Sequence, residues 1–414
     1  MKILVLNCGS SSVKFQVFSY KTESSLAVGL IECIGQESAV LRYHPAGKDR
    51  MKKEVGRLDH DKAINLVFET ISNKSYGVIK DKKELSGIGH RVVHGGEKFT
   101  DSVYVNNEVI KEIKNCIKFA PLHNPHNLKG IEVCKELMPD VPNVAVFDTA
   151  FHSKMPVESY LYALPYEYYT KLGVRRFGFH GTSHHYVSHK AAELMNKHYN
   201  QCKIITCHLG NGASMAAVKN GISIDTSMGF TPLEGLVMGT RCGDIDPALV
   251  LYIMDSEKLT TAEMDDVLNK KSGVKGISGI TNDMREIEEG YFEGTPHHKV
   301  AFEVYCHRIQ KYIGAYAAIM GGVDAIVFTA GVGEKSPITR TLTLKGLEFM
   351  GVKLDEKLNE KNDILISSGK VNVFVIPTNE ELVIARDTKK IMEKLEKEEK
   401  MKDIRLDKGL KKVK

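Results

Sequence analysis

A chain of 414 residues that is 42% hydrophobic and 26% charged has apolar material for about two domain-sized cores, which excludes a disordered or fibrous protein. Its formal charge of +5 sits at one end: residues 389–414 carry eleven Lys or Arg against six Asp or Glu and leave 46 of each sign elsewhere, so the neutral body argues against a nucleic-acid partner. The eight cysteines form no C-x-x-C pair, the apolar run at residues 3–6 is too short for a signal peptide, and no run reaches the roughly 18 residues of a membrane span, so a reduced, cytoplasmic chain with no membrane partner is expected.

Residues 3–6 predict a buried strand, NCGSSS from Asn7 to Ser12 a polar turn, and residues 13–18 an alternating return strand with Lys14 just behind the turn. Residues 61–71, 127–137 and 297–320 carry apolar side chains at three- and four-residue spacing and predict helices. Between them, GHRVVHGG brackets Arg91 with glycines, FDTAFH places Asp148 at a strand end, and RRFGFHGTSH holds His180 in a turn. Residues 203–207, HLGNGAS from His208 to Ser214, and residues 215–218 repeat the first hairpin, with His208 two before Gly210 as Asn7 is two before Gly9. That recurrence predicts a duplicated domain, each copy bringing one hairpin to a shared cleft. Residues 225–247, DTSMGFTPLEGLVMGTRCGDIDP, have no helical or strand period, and so long an irregular segment in a compact domain tends to be functional. A third strand ends in glycines at AIVFTAGVG, residues 325–333. Strands alternating with helices indicate an α/β protein.

Consecutive small residues let backbone N–H groups converge on phosphate oxygens, and Gly9 to Ser12, Gly210 to Gly212 and Gly331 to Gly333 have that composition, although none matches the P-loop or the dinucleotide fingerprint. Phosphoryl transfer needs positive charge and aligned donors more than it needs a base. Arg91, His180 and Arg241 are the candidates. Each has a plain structural reading beside the chemical one: an arginine in an ion pair, a histidine in packing, Asp148 as a cap. No zinc spacing is present, whereas a hard, oxygen-liganded cation fits Asn7, Asp148 and Glu380, with Glu381 equally placed.

Eight blocks, NCGSSSVKF, GHRVVHGGE, FDTAFH, RRFGFHGTSH, HLGNGAS, the long 225–247 segment, FTAGVGE and PTNEELVIARDT, resemble those of the acetate kinase family, in order, from Met1 to about Asp387. The resemblance implies an α/β fold of two duplicated actin-like, ribonuclease H-like domains flanking a nucleotide cleft. The first would be residues 1–150 completed by a C-terminal helix at 382–400, the second 151–381, with 401–414 a charged tail. It implies reversible transfer of the ATP γ-phosphoryl group to acetate, giving acetyl phosphate and ADP, in a homodimer. Asp148, His180 and Arg241 would be catalytic, Arg91 would bind the carboxylate, and Val93, Leu122, Phe179 and Pro232 would take the methyl group, with His123 an accessory. Lys14, His208, Leu209, Gly210, Asn211 and Gly212 would contact ATP, as would Asp283, Met284 and Arg285 and then Gly331, Val332, Gly333, Glu334 and Lys335. Asn7 and Glu380 would hold Mg²⁺ or Mn²⁺. The rivals are a propionate or butyrate kinase and, outside enzymes, an actin- or Hsp70-like ATP-binding protein.

Overall fold

A computed structural model describes the backbone of residues 1–410; residues 411–414 of the expected tail lie outside the described residues. The chain divides into two compact units, Met1–Ala150 with the chain from Asn379 onward, and Phe151–Thr378.

In the first unit, β1 (Lys2–Cys8), β2 (Val13–Ser19), β3 (Ser25–Glu32), β4 (Val40–Pro45), β5 (Met51–Glu54), β6 (Leu85–Val92), β7 (Val103–Tyr104) and β8 (Asn143–Phe147) form one sheet in the order 5-4-3-2-1-6-8-7. The first five strands run antiparallel in succession, while β6 and β8 are parallel to β1. The unbroken apolar run of β1 reflects burial on both faces. Leu4 and Leu6 face the helices His60–Ile71 and Asn124–Leu137, packing with Ile64, Val67, Phe68 and Cys134, whereas Ile3 and Val5 meet Ile384 and Ala385 of the helix Glu380–Leu410. That helix approaches β6 closely because a Cβ at Gly89 would collide with Thr388 Oγ1 and Ile384. The unit begins three residues before the expected boundary: Asn379 Oδ1 accepts from Leu382 N, so Glu380 and Glu381 open the helix of the first unit instead of closing the second domain. Residues 401–410 continue the same helix and are not a separate tail.

The second unit carries β9 (Lys203–Leu209), β10 (Ala213–Lys219), β11 (Ile222–Thr226), β12 (Ala325–Thr329) and β13 (Asn372–Val375) in the order 11-10-9-12-13. Strands β11, β10 and β9 are antiparallel, and β12 and β13 are parallel to β9. The order and senses match β3-β2-β1-β6-β8 strand for strand, so the duplication expected from the two hairpins is present. Ile204, Ala216, Val218 and Val327 pack with Val187, Ala191 and Ala192 of the helix Gly181–Leu194. The helix Pro296–Met320 buries Phe302, Tyr305, Ile309, Ile313 and Tyr316. Both hairpin turns are shorter than expected. Asn7 and Cys8 complete β1, and His208, Leu209, Ala213 and Ser214 are strand residues, leaving Gly210, Asn211 and Gly212 as the turn. After β12 a helix starts at once, Ala330–Lys335, so Gly331 and Gly333 lie within it and not in a turn before it.

Candidate active site

In the first unit, Asn7, Arg91 and Asp148 stand at the carboxyl ends of three neighbouring parallel strands, where ligands of open α/β sheets bind. Asn7 pairs across the hairpin with Lys14, whose side chain is exposed. Arg91 grips the buried Asp148 with both arms of its guanidinium, Nε to Oδ1 at 2.9 Å and Nη2 to Oδ2 at 2.7 Å, and Glu380 Oε2 lies 3.8 Å from the same Nε. Burial works against the Arg91 charge, but Asp148 and Glu380 outweigh it and hold its pKa above the ordinary value. Burial raises the Glu380 carboxyl; Arg91 opposes the rise while Asp148 and Glu381 add to it. Two buried amides steady this end of the sheet: Asn127 accepts from Val93 N and donates to Cys8 O, and Asn124 accepts from His94 N and donates back to His94 O. Val93 is therefore buried and fixed, whereas Leu122 is exposed and His123 precedes the helix Asn124–Leu137.

In the second unit, His180 takes a left-handed backbone, φ 55°, immediately before the helix Gly181–Leu194. Such a conformation in a non-glycine residue is costly and marks sites held for function. Its ring stacks on His208 with centroids 4.2 Å apart, Nδ1 lies 2.8 Å from Ser214 Oγ, and His208 Nδ1 lies 2.8 Å from Ser183 Oγ. Phe179 is buried, and its carbonyl accepts from His152 Nε2 at 3.0 Å. Arg241 and His180 flank the second turn: a Cβ at Gly212 would stand 3.4 Å from Arg241 Nη1 and 3.7 Å from His180 Cε1. Burial lowers the Arg241 pKa, and its only partners among the described residues are the Pro232 carbonyl, 3.3 Å away, and Met238 Sδ. No carboxylate of the described residues neutralises it.

The irregular segment that carries Arg241 is ordered by arginines elsewhere in the chain. Arg176 donates through Nη1 to the carbonyls of Thr226, Ser227 and Met228 and pairs with Glu234, which also accepts from Tyr162. Arg308 donates to the carbonyls of Gly235 and Asp244. A segment without secondary structure must send its backbone groups somewhere, and these side chains receive them.

A cavity of about 430 Å³ opens at the carboxyl ends of β9 and β12. Of the expected nucleotide contacts, Gly210, Asn211, Asp283, Met284 and Arg285 line it, as do Gly331, Val332 and Lys335. Lys14, His208, Leu209, Gly212, Gly333 and Glu334 are not among its lining residues. Leu209 is buried within its strand, the Gly333 carbonyl accepts from the buried Arg340, and Glu334 caps the N–H of Ala330. Sequence reasoning missed Gly239, Asn282, Glu288, Tyr305 and Ser336 in the lining. Asn282 had a signal, standing beside Asp283 and bonding Asn211 Oδ1 at 3.1 Å; Glu288 belongs to an ordinary amphipathic helix and had none.

Residues 2–386 match the Acetokinase family. The chain belongs to that family. It is therefore a kinase. The acetate kinase of Thermoanaerobacterium thermosaccharolyticum is 56% identical over 401 residues, which are 95% of this chain and 100% of that one. The crystal structure of Porphyromonas gingivalis acetate kinase is similar at 47% identity and a TM-score of 0.90, covering 94% of this chain and 99% of that one. A propionate kinase from Francisella tularensis is similar at 41% identity and a TM-score of 0.89, with the same coverage. No helix among the described residues is long and apolar enough to cross a membrane.

The buried histidines of this acetokinase-family chain set its acid stability. Burial pushes His90 and His152 down to about 4 from 6.5, and His184 well below 6.5. Unfolded, these rings bind protons near pH 6.5; folded, they do not until about pH 4, so stability is lost as pH falls through that window. Each ring contributes up to about 1.4 kcal/mol per pH unit. Calorimetry should show Tm falling steadily from pH 6.5 to 5, with a shallower fall in His152→Gln; a flat Tm would contradict the assignment.

Proposed function

We propose that the chain transfers the γ-phosphoryl group of ATP to acetate, reversibly, by direct in-line attack of a carboxylate oxygen without a phosphoenzyme. The observation that carries this reading is Arg241, a desolvated cation with no carboxylate partner among the described residues, beside His180 at a glycine turn. Such a charge is poised for an anion, and stabilising charge that develops on a transferring phosphoryl group is the main task of a kinase. A carboxylic acid of pKa about 4 to 5 is already ionised at neutral pH and needs no general base. We therefore assign His180 and Arg241 to the transferring group and Arg91 to the substrate carboxylate. Asp148 orients Arg91. The cavity beside Gly210 and Gly331 takes the adenosine, with Asp283, Arg285 and Lys335 at its lining. Val93, Leu122, Phe179 and Pro232 are the positions assigned to reading the acyl chain.

Asn7 and Glu380 would hold Mg²⁺ or Mn²⁺. The donor set fits: Asn7, Glu380 and Asp148 supply hard oxygens, and the ionised form of the half-buried Glu380 is disfavoured first by desolvation and then by Asp148 and Glu381, negative charge that a divalent cation offsets. Bound there, the ion would neutralise phosphate charge.

The test is acetyl phosphate formation in a hydroxamate trap with ATP, acetate and Mg²⁺, followed by kcat/KM for acetate, propionate and butyrate. Acetate should lead by roughly tenfold or more over propionate, since one methylene is worth about 1 to 3 kcal/mol. A lead for propionate would favour the reading that the Francisella propionate kinase likeness suggests, and no product at all would favour a binding protein.

We also assign a homodimer. The helix Pro247–Glu257 has the apolar sequence PALVLYIMDSE yet buries none of its residues, with Leu251 70% and Tyr252 69% exposed. An exposed apolar helix of this kind fits a self-complementary two-fold contact. Light scattering should give twice the chain mass of 46.1 kDa and a monomer for Tyr252→Asp; a monomeric parent protein would overturn the assignment. All eight cysteines are unbridged, which supports a reducing, cytoplasmic setting.

A further inference from the structure

We infer that Asp244, held by Tyr312 and Arg308, is a positioning residue for the reaction: it ties together the two limbs of the loop at residues 235–244 and so fixes the Pro232 carbonyl on which the Arg241 guanidinium rests. This builds on the reading of Arg241 as the cation that meets the transferring phosphoryl group. Asp244 N donates to the carbonyl of Gly235 at 3.0 Å, and Asp244 Oδ1 accepts from Gly235 N at 2.8 Å, so two bonds join the first residue of the loop to its last. The other carboxylate oxygen, Oδ2, accepts from the Tyr312 hydroxyl at 2.8 Å and lies 3.4 Å from Arg308 Nη1.

Arg308 and Tyr312 stand one turn apart on the helix Pro296–Met320 and therefore share a face. Arg308 also donates to both main-chain carbonyls of the closure, Gly235 at 3.0 Å and Asp244 at 3.1 Å. The limbs approach so closely that glycine is required beside the closure: Gly243 has φ 67°, and a Cβ there would strike the Leu236 carbonyl. One carboxylate thus gathers the two ends of the loop and the helix behind them.

The tip of the loop is held by other bonds. Met238 N donates to Arg241 O at 3.1 Å to make a turn, and Val274 N and Lys275 N, in the first turn of the helix Gly273–Ser278, donate to the carbonyls of Met238 and Gly239 at 2.8 and 2.9 Å. These bonds place the main chain around Arg241 but not its side chain. The guanidinium folds back to the entry limb, where Nη1 donates to Pro232 O at 3.3 Å, three residues before the closure. Glu234 ties that limb to Arg176 and Tyr162, whereas Asp244 and Arg308 join it to the limb that carries Arg241. Opening the closure leaves the tip where it is and draws the Pro232 carbonyl away from the guanidinium, which has no second oxygen acceptor among the described residues. Gly239 and Asn211, which line the cavity, belong to the part that stays, joined by Gly239 N to Asn211 O at 3.0 Å.

In full-length protein, Asp244→Ala should lower kcat about tenfold in both directions while KM for ATP stays within about twofold of the parent, and Tyr312→Phe, which deletes a single hydroxyl, should lower kcat about threefold. The deciding measurement repeats both substitutions in an Arg241→Ala background. There each should change kcat by less than about twofold, because the group they position is gone. A part in folding alone would multiply with Arg241→Ala and give the same fold-loss in both backgrounds; that result, or a parent-like kcat in Asp244→Ala, would overturn the inference. If Asp244→Ala yields no folded protein, Tyr312→Phe decides by the same rule: a loss confined to the parent background supports the positioning role, and an equal loss in both, or none in the parent, overturns it. Arg241→Ala turning over at the parent rate would instead remove the phosphoryl-group reading, and the positioning role with it.

Discussion

Arg241→Ala is expected to lower kcat by about two to three orders of magnitude, equivalent to about 3 to 4 kcal/mol, with a smaller change in KM for either substrate. The size follows from the surroundings of the guanidinium. Its charge is desolvated and no carboxylate among the described residues competes for it, so an anion arriving there meets it at close to full strength. Arg241→Lys should recover only part of the loss, because an ammonium cannot hold the Pro232 carbonyl and present a planar fork together. Steady-state assays in both directions check this. A kcat within threefold of the parent would remove Arg241 from the reaction.

Asp148→Asn is expected to raise KM for the carboxylate substrate by one to two orders of magnitude and to destabilise the first unit by about 3 kcal/mol, since removing one partner of a buried ion pair leaves the other uncompensated. The guanidinium would lose its two-pronged anchor and retain only Glu380, 3.8 Å away, with which it cannot form the same geometry. Because the nucleophile is already ionised, the residual activity should keep the shape of the parent pH–kcat profile. A variant that lost the acid limb of that profile would show Asp148 acting as a proton acceptor and would reverse the role given to it.

Much of this was visible in the residue pattern. Two strand–turn–strand units with a polar residue two before a glycine did mark two copies of one fold, and the apolar run of β1 did mark a strand covered on both sides. Local patterns of that kind are set by neighbours in the chain. What escaped was set by partners far away in it. Arg176 reads as one more basic residue until its donors are counted against the carbonyls of the 225–247 segment, and Arg340 until its guanidinium is found on Gly333. Asn127 was expected only as the first residue of a helix over 127–137, whereas Asn124 and Asn127 lie in the first turn of the helix Asn124–Leu137 and their buried amides bond strand ends. Glycines Gly331 and Gly333 suggested a turn, because composition does not tell a phosphate nest from the first turn of a helix; a Cβ would meet the backbone of Phe328 at 3.3 Å at Gly333 and nothing at Gly331.

The helix Glu380–Leu410 comes last in the chain and belongs to the unit that comes first. During synthesis, Phe151–Thr378 has all its strands and helices in hand before the ribosome reaches Asn379, whereas the sheet built from β1, β6 and β8 must wait with Ile3, Val5, Val144 and Val146 uncovered until Ile384 and Ala385 emerge. The second unit can mature as it is made. The first is closed by a helix that leaves the tunnel only after the whole of Phe151–Thr378, so a nascent chain stalled or truncated before residue 380 displays an apolar sheet face for chaperones, and the vulnerable unit is the one whose strands were translated first.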